Sequence, residues 1–177
     1  MRALRMLPAL LVVLALLGGL HNTVVAQDDG ASVRPAIVSG YMHAPSSRWV
    51  GDFEFEDLWI VKHKETAADL QMDDPRLSGS LHLVGTYHQM AGASHDIFTG
   101  AARVTNDLGS WTGSMRGYDP ATGLREWVVE LSGQGGHESL SALLFFKEDP
   151  GTLGSNVVSG IIYVGGQPPM PETPVEG

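Results

Sequence analysis

The sequence predicts an all-β domain, an antiparallel eight-stranded barrel with a β-sandwich as the alternative, on three observations. Apolar and polar residues alternate in short runs. Turn signals rich in Gly, Asn, Asp and Pro separate those runs. Composition disfavours helix: there are 22 glycines, and lysine occurs only at 62, 64 and 147.

Eight runs have strand character: Ile37 to His43, Phe53 to Lys64, Leu77 to His88, Asp96 to Asn106, Trp111 to Tyr118, Leu124 to Leu131, Leu140 to Lys147 and Val157 to Val164. Across Leu77 to His88 the odd positions hold Leu77, Leu81, Leu83 and Tyr87, while Ser78, Ser80, His82 and Thr86 take the even ones. That period of two describes a strand buried on one side. Between the runs, Asn106-Asp107-Leu108-Gly109, Asp119-Pro120 and Asp149-Pro150-Gly151 preset turns, because Pro fixes φ and Asp or Asn caps backbone amides. Regular short strands joined this way form a meander that closes. Only Lys64 to Met72 carries enough helix formers to predict a short helix.

Six Ser/Thr-Gly pairs recur, ending in Gly40, Gly79, Gly100, Gly113, Gly133 and Gly160. A glycine within a strand costs roughly 0.5–1 kcal/mol relative to alanine. The expected return is curvature and close strand approach where a barrel bends, which favours the barrel over the sandwich. The last two strands differ from the others. Leu143 and Phe145 oppose Leu140, Ala142, Leu144 and Phe146, and Val157 and Ile161 oppose Val158 and Ile162. Strands apolar on both faces need both covered, so residues 140–146 and 157–164 are expected to form a homo-oligomer interface.

Four segments follow from composition shifts. Residues 1–26 read as a signal peptide: Arg2 and Arg5 precede the apolar run Leu7 to Leu20, and Val24 and Ala26 supply the small residues before a cleavage point. The run, about 14 residues, spans about 21 Å as a helix, short of the roughly 30 Å bilayer core. Residues 27–36 form a polar connector, 37–165 the β-barrel domain and 166–177 a disordered tail rich in proline. Localisation is therefore expected to be secreted or periplasmic. Removing the first 26 residues takes two arginines and no acids, leaving 9 basic and 20 acidic side chains. Such a surface repels phosphate backbones and anionic lipid, so neither nucleic-acid binding nor stable membrane insertion of the mature chain is expected. With no cysteine, disulfides, thiolate metal sites and thiol nucleophiles are excluded together.

The segments Asp74-Pro75-Arg76-Leu77-Ser78-Gly79, Asn106-Asp107-Leu108-Gly109-Ser110-Trp111-Thr112-Gly113 and Gly133-Gln134-Gly135-Gly136-His137-Glu138-Ser139-Leu140 come in an order that resembles small secreted bacterial β-barrel proteins. Their glycine-rich stretches distantly resemble allene oxide cyclase and dirigent-type barrels. The resemblance covers residues 74 to 165 and implies an eight-stranded barrel with an apolar interior. The chain departs from it near His137 and Ser139, where an aromatic and a further glycine are expected, and no catalytic residue transfers.

Few constellations carry chemistry. His82 and His88 share a strand face but lie about 20 Å apart at 3.3 Å per residue, too far for one metal. His88 and His95 flank the turn Gln89 to Ser94, with Asp96 beside them, which reads as two polar residues at a hairpin mouth. Glu54 and Glu56 alternate with Phe53 and Phe55 and read as a solvated outer face. No Gly-x-Ser-x-Gly elbow or triad is assignable, and Gly133 to Gly136 lacks the lysine of a phosphate loop. No metal, cofactor or catalytic residue is therefore assigned. The candidate ligand-binding residues are the large side chains that alternation turns inward: Tyr87, Phe98, Trp111, Met115, Trp127 and Phe146. The expectation is a non-catalytic barrel that binds a small apolar ligand or a protein partner. One alternative is a barrel-pocket isomerase or cyclase, for which Arg103, Glu126 or Tyr87 would be titratable candidates; another is a structural or assembly protein. Intact-mass measurement or N-terminal sequencing of the exported protein should find Gln27 as its first residue; retention of Met1 or a start inside the apolar run would refute the cleavage site.

Overall fold

Alternating side chains commit this chain to strands that bury one face, and the ends of such strands need partners. In a computed structural model describing residues 35–55 and 59–166, eight strands follow in chain order: β1 (Ala36–Phe55), β2 (Trp59–Met72), β3 (Gly79–Met90), β4 (His95–Asn106), β5 (Gly109–Pro120), β6 (Glu126–Gly135), β7 (Leu140–Glu148) and β8 (Ser155–Val164). Each pairs antiparallel with the next, and β8 returns to β1 with Ala36 opposite Ile162 and His43 opposite Ser155. The sheet is thus a closed eight-stranded barrel. The expected signal peptide, connector residues 27–34 and tail residues 167–177 lie outside the described residues.

Two expectations about strand boundaries are corrected. Phe53 to Lys64 is not one strand: β1 continues to Phe55, which faces Trp59 at the start of β2. The sequence between them, Glu56-Asp57-Leu58, has neither Gly nor Pro, so no strong breaker marks where one strand ends and the next begins. Lys64 to Met72 is strand rather than helix. Its Ala, Glu, Leu and Gln favour helix locally, but β2 is hydrogen-bonded to β1 on one side and β3 on the other. A two-sided ladder outweighs propensities of a few tenths of a kcal/mol per residue.

The interior is apolar along its length. Leu70, Leu81, Trp111, Leu131, Leu144 and Phe146 are essentially fully buried. Burying side chains of this size is worth about 1.5–3 kcal/mol each. Outward positions on β3 and β4, such as His82, Arg103 and Thr105, are exposed. The apolar interior contrasts with the polar lumen of an outer-membrane barrel.

The recurrent glycines sit where neighbouring strands come closest. A Cβ at Gly113 would overlap the Glu130 carbonyl of β6; at Gly160 it would overlap the Leu143 carbonyl of β7. Gly40 and Gly100 meet the Gln71 and Val84 carbonyls in the same way. Close approach of backbone, rather than chain flexibility, is what these positions require. Gly113→Ala should cost about 3 kcal/mol in denaturant unfolding, the upper range for overpacking, because the obstacle is backbone. Gly51→Ala, whose nearest neighbour would be a His63 ring carbon at 3.7 Å, should be neutral or stabilising. Equal losses at both positions would show that packing is not the reason.

Candidate functional site

The two ends of the barrel have opposite characters, and the shut end explains why the open one is the candidate site. At the shut end, Asn106 closes β4 and ties three loops together. Its Nδ2 donates to the carbonyls of Arg76 and Ser78, both at 3.0 Å. Its Oδ1 accepts from the N–H groups of Leu108 at 3.1 Å and Gly109 at 3.2 Å, and lies 2.9 Å from His137 Nε2. The Trp111 indole N–H donates to the Arg76 carbonyl at 2.8 Å, and its ring stacks on His137 with centroids 4.8 Å apart. Leu77 completes the plug, wholly buried.

The same network sets the state of His137. An amide oxygen only accepts, so His137 must carry its proton on Nε2. Its Nδ1 is buried without a partner. Burial holds the imidazole pKa below its ordinary value, the Arg76 guanidinium adds to that, and Asp74 opposes it. The three glycine-rich segments that carry the family resemblance converge here, as the plug.

The open end holds a cavity of about 140 Å³. Its apolar wall includes the rings of Tyr87, Phe98 and Trp127. Tyr87 stacks on Phe98 at 4.9 Å and Phe98 meets Trp127 at 6.1 Å, while Trp49, outside the lining, meets Tyr87 edge-on at 5.4 Å. Glycines shape this wall: the Met115 methyl lies over Gly85 and Gly100, where a Cβ would come within 2.6 and 2.7 Å of it. The tip of Phe98 fills the corresponding space over Gly117.

Polar groups are set into the same wall. Arg125 and Trp127, two residues apart on β6 and the turn before it, both line the cavity. The Arg125 guanidinium pairs with Asp119 at 2.6 Å, and its backbone N–H donates to the Glu148 carboxylate at 3.3 Å. Yet Arg125 Nε and the Trp127 indole N–H are buried donors with no acceptor. Lys64 is half-buried opposite them, its Nζ 5.3 Å from the Trp49 ring centre and 5.8 Å from that of Tyr87. Burial lowers the Lys64 pKa, the Arg125 charge lowers it further, and Asp119 and Glu148 oppose both. Burial pushes the Tyr87 phenol up.

Of the six expected interior residues, Tyr87, Phe98, Met115 and Trp127 line the cavity. Phe146 packs flat on Trp127 at 5.2 Å and belongs to the filled core, while Trp111 belongs to the plug at the other end. Arg103 is exposed on the outer face, and Glu126 pairs outside with Lys147 at 2.8 Å, so neither enters the cavity. Lys64, Arg125 and Glu148 also line it and were not expected there. Parity does place Arg125 on the face of Trp127 and Lys64 on that of Ala68 and Leu70, but the helical reading of 64–72 hid the second relation. His88 stacks on Trp59 at 5.6 Å and His95 meets Tyr118 edge-on at 6.1 Å. Among the described residues no three His, Asp or Glu side chains gather where they would hold a metal ion.

The outer face of β6 to β8 presents a second, shallow groove in which Phe145 is 50% and Val157 45% exposed, flanked by Tyr118 and Val128. Next to it on β1, Tyr41 lies opposite Val157, and Ile37, opposite Ile161, is 87% exposed. In comparisons with known proteins, no family model and no curated protein matches the chain.

The lowered His137 pKa has a measurable consequence. The folded protein binds this proton less readily than the unfolded chain, so its contribution to stability is complete above the ordinary value of 6.5 and is lost as pH falls below it. The melting temperature should therefore drop between pH 7.5 and 5, and His137→Phe should flatten that part of the profile relative to the parent. An unchanged slope in the variant would assign the acid sensitivity elsewhere.

Proposed function

We propose that the protein is an exported, non-catalytic barrel that binds a small ligand with an apolar body at its open end. The observation that carries this reading is a ring-walled cavity at one end of a barrel whose other end is plugged by Trp111, His137 and Asn106. Ligand sites favour such a setting: a concave apolar lining with a few convergent polar groups, in the mouth of a barrel. Size narrows the class. An apolar cavity of about 150 Å³ accommodates one benzene ring, so about 140 Å³ fits a single-ring or short-chain molecule rather than a long lipid.

A second reading, self-association through β7 and β8, has its own support in the exposed Phe145 and Val157 and the adjoining Tyr41 and Ile37. Contiguous apolar surface rimmed by charge, here Arg116, Glu126 and Lys147, marks interaction sites. The isomerase alternative draws on Lys64, Tyr87 and Glu148, the titratable groups on the cavity wall. Three such groups without a nucleophile–base pair among their hydrogen bonds favour binding over turnover.

Native mass spectrometry of the protein purified from its own secretions tests both readings. The ligand reading expects a retained small molecule that is released on denaturation and lost in Phe98→Ala. A bare mass across preparations, together with failure of one-ring compounds to raise the melting temperature, would refute it. A strict monomer at tens of micromolar would remove the self-association reading.

A further inference from the structure

Building on the ligand reading, we propose that the ligand carries a carboxylate on its single-ring body, with Lys64 as its counter-ion and the Trp127 indole N–H and Arg125 Nε as hydrogen-bond donors. The charges around the mouth point this way. Arg125 is already neutralised by Asp119, and Glu148 receives the Arg125 backbone N–H. Lys64, in contrast, is held over the faces of Trp49 and Tyr87 and takes part in none of the ion pairs formed among the described residues. It is the cation in the wall that forms no ion pair, with Asp119 and Glu148 acting on it only at longer range.

The donors add a second, independent observation. Both are buried and without acceptors, and a buried donor left unpaired costs about 1–3 kcal/mol. A hydrocarbon in the cavity would leave both costs in place. Arg125, just before β6, and Trp127, on it, both line the cavity. An anionic acceptor beside them gains charge-assisted hydrogen bonds, which are about twice as strong as neutral ones. The rings of Tyr87, Phe98 and Trp127 then take the flat apolar part.

The lowered Lys64 pKa agrees, since a buried ammonium without a counter-ion is the state an arriving carboxylate relieves. Lys62, also near Trp49 with its Nζ 5.7 Å from the ring centre, is not in the cavity lining and serves as an internal control.

Calorimetric titration with benzoate and with methyl benzoate, which share ring and carbonyl but differ in charge, tests the proposal on the full processed chain. Benzoate is expected to bind about tenfold more tightly than the ester, a difference of about 1.4 kcal/mol. Lys64→Met should abolish that preference, and Lys62→Met should leave it intact. Lys64→Arg, which keeps the charge, guards against a folding defect in the methionine variant and should retain selectivity for the acid. Equal affinity for acid and ester, or a preference that survives Lys64→Met, overturns the carboxylate assignment and leaves the ligand reading standing. Binding of neither compound up to about 10 mM overturns both.

Discussion

The structure depends on one side chain at the closed end. Asn106 spends its amide hydrogens on the loop between β2 and β3 and its oxygen on the next turn and on His137. An amide is suited to this, being donor and acceptor at once, and few other side chains satisfy five partners in three loops. With that end sealed and dry, Trp111 and Leu77 fill the bore beneath it and Leu81, Val129 and Leu144 continue the packed column. A cavity opens at the far end, where β1 and β2 are longest, with the rings of Tyr87, Phe98 and Trp127 in its wall.

The two polar ends illustrate how differently a fold can treat buried hydrogen-bonding groups. In the plug the Asn106 amide, the Trp111 indole N–H and His137 Nε2 are all paired, and only the lone pair of His137 Nδ1 lacks a donor; a network this nearly satisfied rigidifies its surroundings. In the mouth burial and the Arg125 charge lower the Lys64 pKa, and two donors have no acceptor. Unpaired groups of this sort recur at sites that complete themselves with a ligand, which is why the mouth and not the plug carries the functional reading.

Inward glycines connect these ends. Gly113 and Gly160 let strands of the closed half approach until backbone touches backbone, and Gly85, Gly100 and Gly117 yield their side-chain volume to Met115 and Phe98. One residue type thus does two jobs by position: tightening the ring at some levels and shaping the cavity wall at others. The glycine-rich stretches around Asn106 and His137 meet at the plug, where they serve the closing of the barrel.

Much of the barrel was legible in the chain itself. Alternation from Leu77 onward placed six strands and turned Tyr87, Phe98, Met115 and Trp127 inward, because a period of two has only one burial solution once a face is apolar. The Ser/Thr-Gly pairs announced close strand approach, and the doubly apolar β7 and β8 announced an exposed outer patch. What tertiary structure alone decided lies where local and long-range preferences conflict. The stretch 64–72 favours helix by propensity and became strand because β1 and β3 offered a ladder on both edges. That choice put Lys64 in the cavity wall. The separation of Trp111 from Trp127, alike in alternation yet at opposite ends of the bore, depended on strand stagger around the ring, a quantity set by pairing between distant segments and carried by no single stretch of sequence.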